Sequence, residues 1–221
     1  MEKRIKILEN GPYLVSKDIP LFEKELVLED GLMVLKTIRK VETDGDYALC
    51  RCGHSSNMPF CDGTHAKVAF DGTETAGFST YEDRIEIIEG DGLNLLDDNR
   101  CAYARLCHQR RGDAWQLAAE SGDPESRREE IKAASDCPAG RLTIQLLDGE
   151  LLEPTLEPSI SFVKDIPKNV SAGLFVTGNI ELESANGTLY ETRNRYALCR
   201  CGASENKPFC DAMHVAINFR K

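Results

Sequence analysis

Apolar residues along this chain come in short runs broken by Gly, Asp and Pro, and few runs hold a helical period. Residues 13–15, 19–22 and 47–50 carry the β-branched and aromatic content of strands, with turn residues between them. Residues 84–88 alternate as a strand, and the following GDGLNLLDDN reads as turn-rich. Asp123-Pro124-Glu125 predicts a helix start, Asp as N-cap and Pro at the first helical position, with Ile131 and Ala134 on one face. The ESRREE run reads as that helix's solvated side. Residues 141–147 return as a strand, and LEPTLEPSI reads as a linker or extended strap. Short strands with a few helices predict an α+β fold of small, β-rich units. No uncharged stretch approaches the roughly 18 residues that would span a bilayer.

The pattern repeats. Residues 48–70, ALCRCGHSSNMPFCDGTHAKVAF, align with residues 197–219, ALCRCGASENKPFCDAMHVAINF, at an offset of 149 that keeps every Cys in register and matches His65 with His214. Upstream, GPYLVSKDIPL from Gly11 aligns with AGLFVTGNIEL from Ala172 at an offset of 161, so the first copy carries 12 extra residues between the two matches. A unit of about 60 residues with so few apolar positions buries too little to stand alone, and a bound metal or a partner supplies the deficit. The two copies are expected to pack about a pseudo-twofold axis, as a homodimer does with two chains, so that a monomer suffices.

Composition narrows the function. The 221 residues leave room for one large domain or two to three small ones, and a net charge of -10 with a pI near 5.0 offers no source for phosphate neutralisation, which sets nucleic acids and anionic membranes aside. Nine cysteines, an odd number, cannot all pair, so a reducing compartment and bound metal are the expectation. The opening MEKRIKILEN is too charged for a signal-peptide core, and a cytoplasmic location is expected.

The cysteines fall into three triads. Two share the spacing Cys-x-Cys-x8-Cys-x3-His: Cys50, Cys52, Cys61 with His65, and Cys199, Cys201, Cys210 with His214. A local turn eased by Gly53 lets the first pair converge, and a short helix brings Cys61 and His65 onto one face, with Asp62 and Asp211 as expected N-caps. Three thiolates and an imidazole suit tetrahedral zinc or an iron-sulfur cluster; neither spacing is the C-x2-C knuckle usual for zinc.

CRCGHSSNMPFCDGTH resembles the signature of the CDGSH iron-sulfur domain family, which includes mitoNEET: Ser55, Pro59, Cys61, Asp62, Gly63, Thr64 and His65 all sit where that pattern asks. The resemblance covers residues 11–70 and 172–219. It implies a 2Fe-2S cluster in each copy, Cys50 and Cys52 on one iron, Cys61 and His65 on the outer one, with Cys199, Cys201, Cys210 and His214 in the same roles. It also implies a β-cap on a cluster-binding part and paired units. The second copy reads CDAMH, and Ala212 in place of Gly63 suggests that this position needs no positive φ. Met213 in place of Thr64 removes a hydroxyl, so different reduction potentials are expected. A +2 core with three thiolates and a neutral imidazole carries -1 rather than -2, which raises the potential and ties the site to pH. Arg51 and Arg200 offset more of the charge.

The third triad, Cys101-x5-Cys107 and a distant Cys137-Pro138, resembles single-cluster bacterial ferredoxins and implies a 3Fe-4S or incompletely ligated 4Fe-4S cluster. The alternative is three buried, reduced cysteines. Expected domains are residues 1–75, a first CDGSH module, 76–160, a ferredoxin-like domain, and 161–221, a second CDGSH module. His54 faces Ala203 in the repeat and reads as a surface residue, His108 as a non-ligand, and Trp115, Phe60 and Phe209 as packing residues. GDGLNLLDDN lacks the spacing of a Ca²⁺ loop. No nucleophile-base pair, phosphate loop or dinucleotide fingerprint is visible, so the chain is not expected to be an enzyme. Electron transfer, or storage and delivery of 2Fe-2S clusters, with a redox partner or an apo iron-sulfur acceptor, is the expected function. A zinc-stabilised interaction scaffold and an electron-carrying subunit of an oxidoreductase are the alternatives.

Overall fold

A computed structural model describes residues 3–221. The first repeat forms β1 (Arg4–Ile7), β2 (Tyr13–Val15), β3 (Leu21–Glu29), β4 (Leu32–Val41), β5 (Tyr47–Leu49) and the one-turn helix α1 (Thr64–Lys67). The middle supplies β6 (Glu86–Ile88), β7 (Asn94–Asp97), α2 (Ala114–Ala119), α3 (Pro124–Ser135), β8 (Leu142–Gln145) and β9 (Leu151–Leu152). The second repeat forms β10 (Ser159–Asp165), β11 (Val170–Thr177), β12 (Glu181–Glu183), β13 (Arg195–Leu198) and α4 (Met213–Ala216). The class is α+β. A boundary at residue 160 falls inside β10, because the end of the proline-rich strap is already strand.

The repeats exchange strands. One sheet runs β12-β1-β2-β5 and the other β13-β11-β10-β3-β4. β1 pairs in parallel with β12, Ile5 opposite Leu182, and β10 pairs in parallel with β3, Ile160 opposite Leu21. The second copy thus lends β12 to the first's sheet, and the first lends the β3–β4 hairpin to the second's. Period-two alternation turns Ile5, Ile7, Tyr13 and Val15 from one copy and Ile160, Phe162, Leu174 and Val176 from the other into a single buried cluster. Burying each large apolar side chain contributes about 1.5–3 kcal/mol, and half of these partners would be missing from a lone repeat. Hydrogen bonds repeat too: the Tyr47 hydroxyl donates to Ile19 O (2.8 Å) and the Tyr196 hydroxyl to Ile180 O (3.0 Å). The 12 extra residues extend the β3–β4 hairpin, which turns on Asp30 (φ 50°) and Gly31 (φ 84°).

The middle segment builds an antiparallel sheet in the order β6-β7-β8-β9, with both helices between β7 and β8. Leu93, Leu95, Ala114, Ala118, Ala133 and Ile144 share its core. α3 starts as predicted, with Asp123 accepting from Ser126 N (3.0 Å) and Pro124 at the first position. The ESRREE run is not wholly solvated, because Ser126 and Glu130 turn inward and are fully buried. GDGLNLLDDN contains β7 rather than turns alone. α2 is held by a reciprocal cap: Asp113 accepts from Gln116 N (3.0 Å), and the Gln116 side chain accepts from Asp113 N (3.2 Å). Buried Arg195 of β13 fastens this unit to the second repeat, donating to Cys137 O (2.7 Å), Ala134 O (2.9 Å) and Leu142 O (2.9 Å) while pairing with Glu153.

Candidate metal centres

β5 and β13 end at Leu49 and Leu198, so the next residues, Cys50 and Cys199, leave the sheets at equivalent points. Cys50 N donates to Pro59 O (2.8 Å) and Cys61 N to Ala48 O (2.9 Å); Cys199 N donates to Pro208 O (2.8 Å) and Cys210 N to Ala197 O (2.9 Å). These bonds close each x8 loop so that its third cysteine returns beside the first pair. Both loops carry a cis peptide, Met58-Pro59 and Lys207-Pro208. The Ser55 hydroxyl donates to Phe60 O (2.7 Å) and accepts from Asn57 N (3.0 Å), and Ser204 repeats this on Phe209 and Asn206.

The sulfur and nitrogen donors are gathered in pairs. Sγ of Cys50 and Cys52 lie 3.7 Å apart, and those of Cys199 and Cys201 3.6 Å apart. His65 Nδ1 lies 3.3 Å from Cys61 Sγ, and His214 Nδ1 lies 3.5 Å from Cys210 Sγ. His214 is 1% exposed and its Nε2 meets no partner. Burial, with the Arg200 cation beside it, pulls its pKa down to about 4, which keeps the imidazole neutral, as ligation requires. Burial pushes the Cys52 thiol up to about 11, and burial likewise holds Cys210 well above the usual thiol range. Such thiols become thiolates at neutral pH when a metal deprotonates them.

Two expectations need correction. Ala212 does adopt a positive φ, 70°, as Gly63 does at 82°, so both copies enter their one-turn helix through a left-handed residue; Gly63 N lies 3.5 Å from Cys61 Sγ. Nor are Asp62 and Asp211 the N-caps. Gly63 and Ala212 hold that position, and each Asp, one residue earlier, accepts from the helix's first amide, Thr64 N (3.0 Å) or Met213 N (3.2 Å). Asp62 also accepts from Ser56 N (2.8 Å) and Oγ (2.6 Å), and these bonds hold its carboxyl well below the usual range. The Thr64 hydroxyl serves Asp62 as well, so its replacement by Met213 weakens that clamp.

Arg51 and Arg200 are buried, and among the described residues their guanidinium groups reach no carboxylate. Arg51 donates to Gly11 O (2.8 Å), Gly72 O (2.9 Å) and Leu8 O (3.1 Å); Arg200 donates to Ala172 O (2.7 Å) and Val163 O (2.9 Å). A buried cation needs a counter-charge, and the adjacent thiolates supply it. The two ligand loops touch at the pseudo-twofold axis through an antiparallel bridge between Cys52 and Cys201. Gly53 and Gly202 make this approach possible: a Cβ on either would lie 2.4 Å or 2.5 Å from a carbonyl oxygen opposite. Sequence reasoning gave Gly53 only local freedom; its repetition as Gly202 was the missed signal.

The structure brings the third triad together as well. Cys107 and Cys137 pack in one apolar cluster, and burial, then the neighbouring Cys137 and Cys101 sulfurs, push the Cys107 thiol up to about 11. Tyr103 N donates to Cys101 Sγ (3.3 Å), and the amides of Leu142, Ala139 and Arg141 face the Cys137 sulfur. Tyr103 and Arg105 hold φ of 57° and 60°, left-handed conformations that cost L-residues roughly 1–2 kcal/mol each. Strain of this kind gathers at functional sites. His54 is exposed, its Nδ1 2.7 Å from Cys52 O, and His108 bridges to Asp113; neither joins a sulfur set. Phe209 packs edge-on against Tyr190 and Tyr196, and Trp115 donates to Asp97 (3.0 Å) from the central core.

The family model for the iron-binding zinc finger of CDGSH type matches residues 10–66 and again residues 172–215. The chain carries two CDGSH modules. Comparison with curated proteins and with solved structures gives no match. The CDGSH modules make the chain an iron-sulfur-binding protein, and each spans a complete set of three cysteines and one histidine. Among the described residues, no helix is long and apolar enough to cross a membrane.

Proposed function

We propose that each CDGSH module holds a 2Fe-2S cluster, through Cys50, Cys52, Cys61 and His65 and through Cys199, Cys201, Cys210 and His214, and that Cys101, Cys107 and Cys137 hold a 3Fe-4S or 4Fe-4S cluster. The chain then acts as a one-electron carrier without a catalytic step of its own. The observation that carries this reading is the pairing of donors. Each module presents two close pairs, Cys50 with Cys52 and Cys61 with His65 in the first, Cys199 with Cys201 and Cys210 with His214 in the second. A zinc ion asks for four donors around one centre, whereas a two-iron core takes two pairs. When bound, the core supplies reversible one-electron chemistry.

The protein's own residues do the rest. Arg51 and Arg200 each place one positive charge beside a site of net charge -1, and burial excludes water from the second module's donors. A second reading, delivery of the cluster to an apo acceptor, is favoured for the first module alone, because Cys61 and His65 are partly exposed there while Cys210 and His214 are buried. Iron and acid-labile sulfide analysis of anaerobically purified protein, with EPR before and after reduction, tests the proposal. Two 2Fe-2S signals plus one further cluster signal are expected. A colourless, sulfide-free protein that is folded and holds zinc overturns it.

A further inference from the structure

Resting on the reading that the central triad holds a cluster, we infer that the three centres form an ordered one-electron relay. The central triad and the first module are its two ends, and the second module is the buried middle station. Cys101 of the triad and Cys210 of the second module line one cavity, together with Asp98, Arg100 and Asn206. The loop between Cys101 and Cys107 lies on the second module: Ala102, Ala104 and Leu106 share an apolar cluster with Ala172, Ala197 and Cys210. Arg105 in that loop donates twice to Asp165 of β10 (2.7 and 2.9 Å), and Asp165 is 1% exposed, so the seat is fixed by a buried ion pair. From the second module the path continues across the Cys52–Cys201 bridge to the first.

Exposure follows the same order. Cys199, Cys201, Cys210 and His214 are all buried, whereas Cys101 and Cys107 at one end and Cys61 and His65 at the other reach the surface. His65 opens onto a surface cavity with Asn10, Phe70, Asp71 and Thr73. One electron leaves the central site, which is oxidised by one unit, and enters the second module's site, which is reduced by one. It then passes to the first. No bond forms or breaks, and no proton has to move. One-electron carrier proteins outside the chain act as donor at one end and acceptor at the other.

EPR relaxation on the intact, fully loaded protein tests the order. His65→Cys and His214→Cys each shift the signal of their own module and so assign the two. With the central site poised paramagnetic, the second module's signal is expected to relax faster than the first's, and to lose that difference when the central site is removed in Cys107→Ala or, for a 4Fe-4S cluster, oxidised to its diamagnetic state. The comparison of the two modules' relaxation in the loaded protein does not need Cys107→Ala and stands if that variant does not fold. Equal relaxation of both modules beside a full central iron complement overturns the relay alone, as does a faster first-module signal. Iron and sulfide analysis that finds no central cluster overturns the central-site reading and the relay with it. Freeze-quench reduction adds the kinetic order: lowering the middle potential in His214→Cys should slow reduction of the first module, and an unchanged rate overturns the relay.

Discussion

Glu130 offers a quantitative test of how the central unit is built. Its side chain is fully buried on the inner face of α3, and among the described residues neither carboxylate oxygen has a hydrogen-bond partner. Burial, opposed only by the Arg127 charge, raises its pKa from 4.5 to about 8. The folded state therefore holds the proton more tightly than the unfolded chain, so its contribution to stability is complete below pH 4.5 and is lost as pH rises to about 8. At pH 7 the carboxyl is ionised in the unfolded chain but stays mostly protonated in the fold, and at 1.36 kcal/mol per pH unit the loss reaches about 3 kcal/mol. Glu130→Gln removes the titration while keeping the shape. In urea unfolding of the loaded protein at pH 5, 6.5 and 8, the variant should gain on the parent steadily with pH, by about 3 kcal/mol between pH 5 and 8. A stability difference that stays constant over this range would show that Glu130 is solvated or paired, and the burial argument would fall.

Ala212→Gly should stabilise the second module by about 1 kcal/mol, because Gly relieves a left-handed Ala at φ 70°; urea unfolding reads it, and an unchanged midpoint refutes it. Gly53→Ala should cost about 3 kcal/mol and loosen iron at both modules together, since the new Cβ meets Cys201 O at 2.4 Å; iron loss confined to the first module would argue against a shared interface. Arg100, whose guanidinium sits 4.1 Å from the Phe209 ring centre beside Cys210, is a positive charge on the second module, and Arg100→Gln should lower that module's potential by tens of mV and leave the first unmoved in a redox titration.

That each set of three cysteines and one histidine gathers in space was legible because the spacing acts locally. Cys-x-Cys followed by Cys-x3-His brings donors together through one loop and one helical turn, and repetition of the spacing marked both sites without any tertiary knowledge. Strands flanking them, such as 13–15 and 47–50, were legible for the same reason. The exchange of β3 and β12 between sheets was not, since parallel pairing of Ile5 with Leu182 depends on residues far apart in sequence and leaves no local trace. The hairpin signal was present in Asp30-Gly31 between apolar runs, yet the repeat alignment presented those residues only as an insertion. Ala212 misled because residue preference ranks conformations by cost, and a cost near 1–2 kcal/mol is borne where the loop shared by both copies enters its helix through a left-handed residue. Glu130 misled because ESRREE is polar throughout, and the helical period that turns every fourth residue inward was outweighed by composition.

Duplication alone would give two equivalent centres, since the donors, the Ser-Pro loop and the buried arginines repeat in register. The difference arises from what was placed between the copies. The loop from Cys101 to Cys107 covers one pseudo-twofold face only, and the extended β3–β4 hairpin contributes Leu26, Met33 and Leu35 to the same apolar cluster, so the first repeat's insertion helps roof the second repeat's site. Cover changes an iron-sulfur site through charge solvation: a buried site of net charge -1 is less stabilised by water once reduced to -2, which lowers its potential relative to an exposed twin. Against this, Arg100 adds a cation beside the covered site, while Arg200 faces Cys50 of the first module as well as Cys201 and Cys210 of the second. The two influences oppose each other, so the potentials of the two modules can lie close together even though their surroundings differ, the condition under which an electron moves readily in either direction between them.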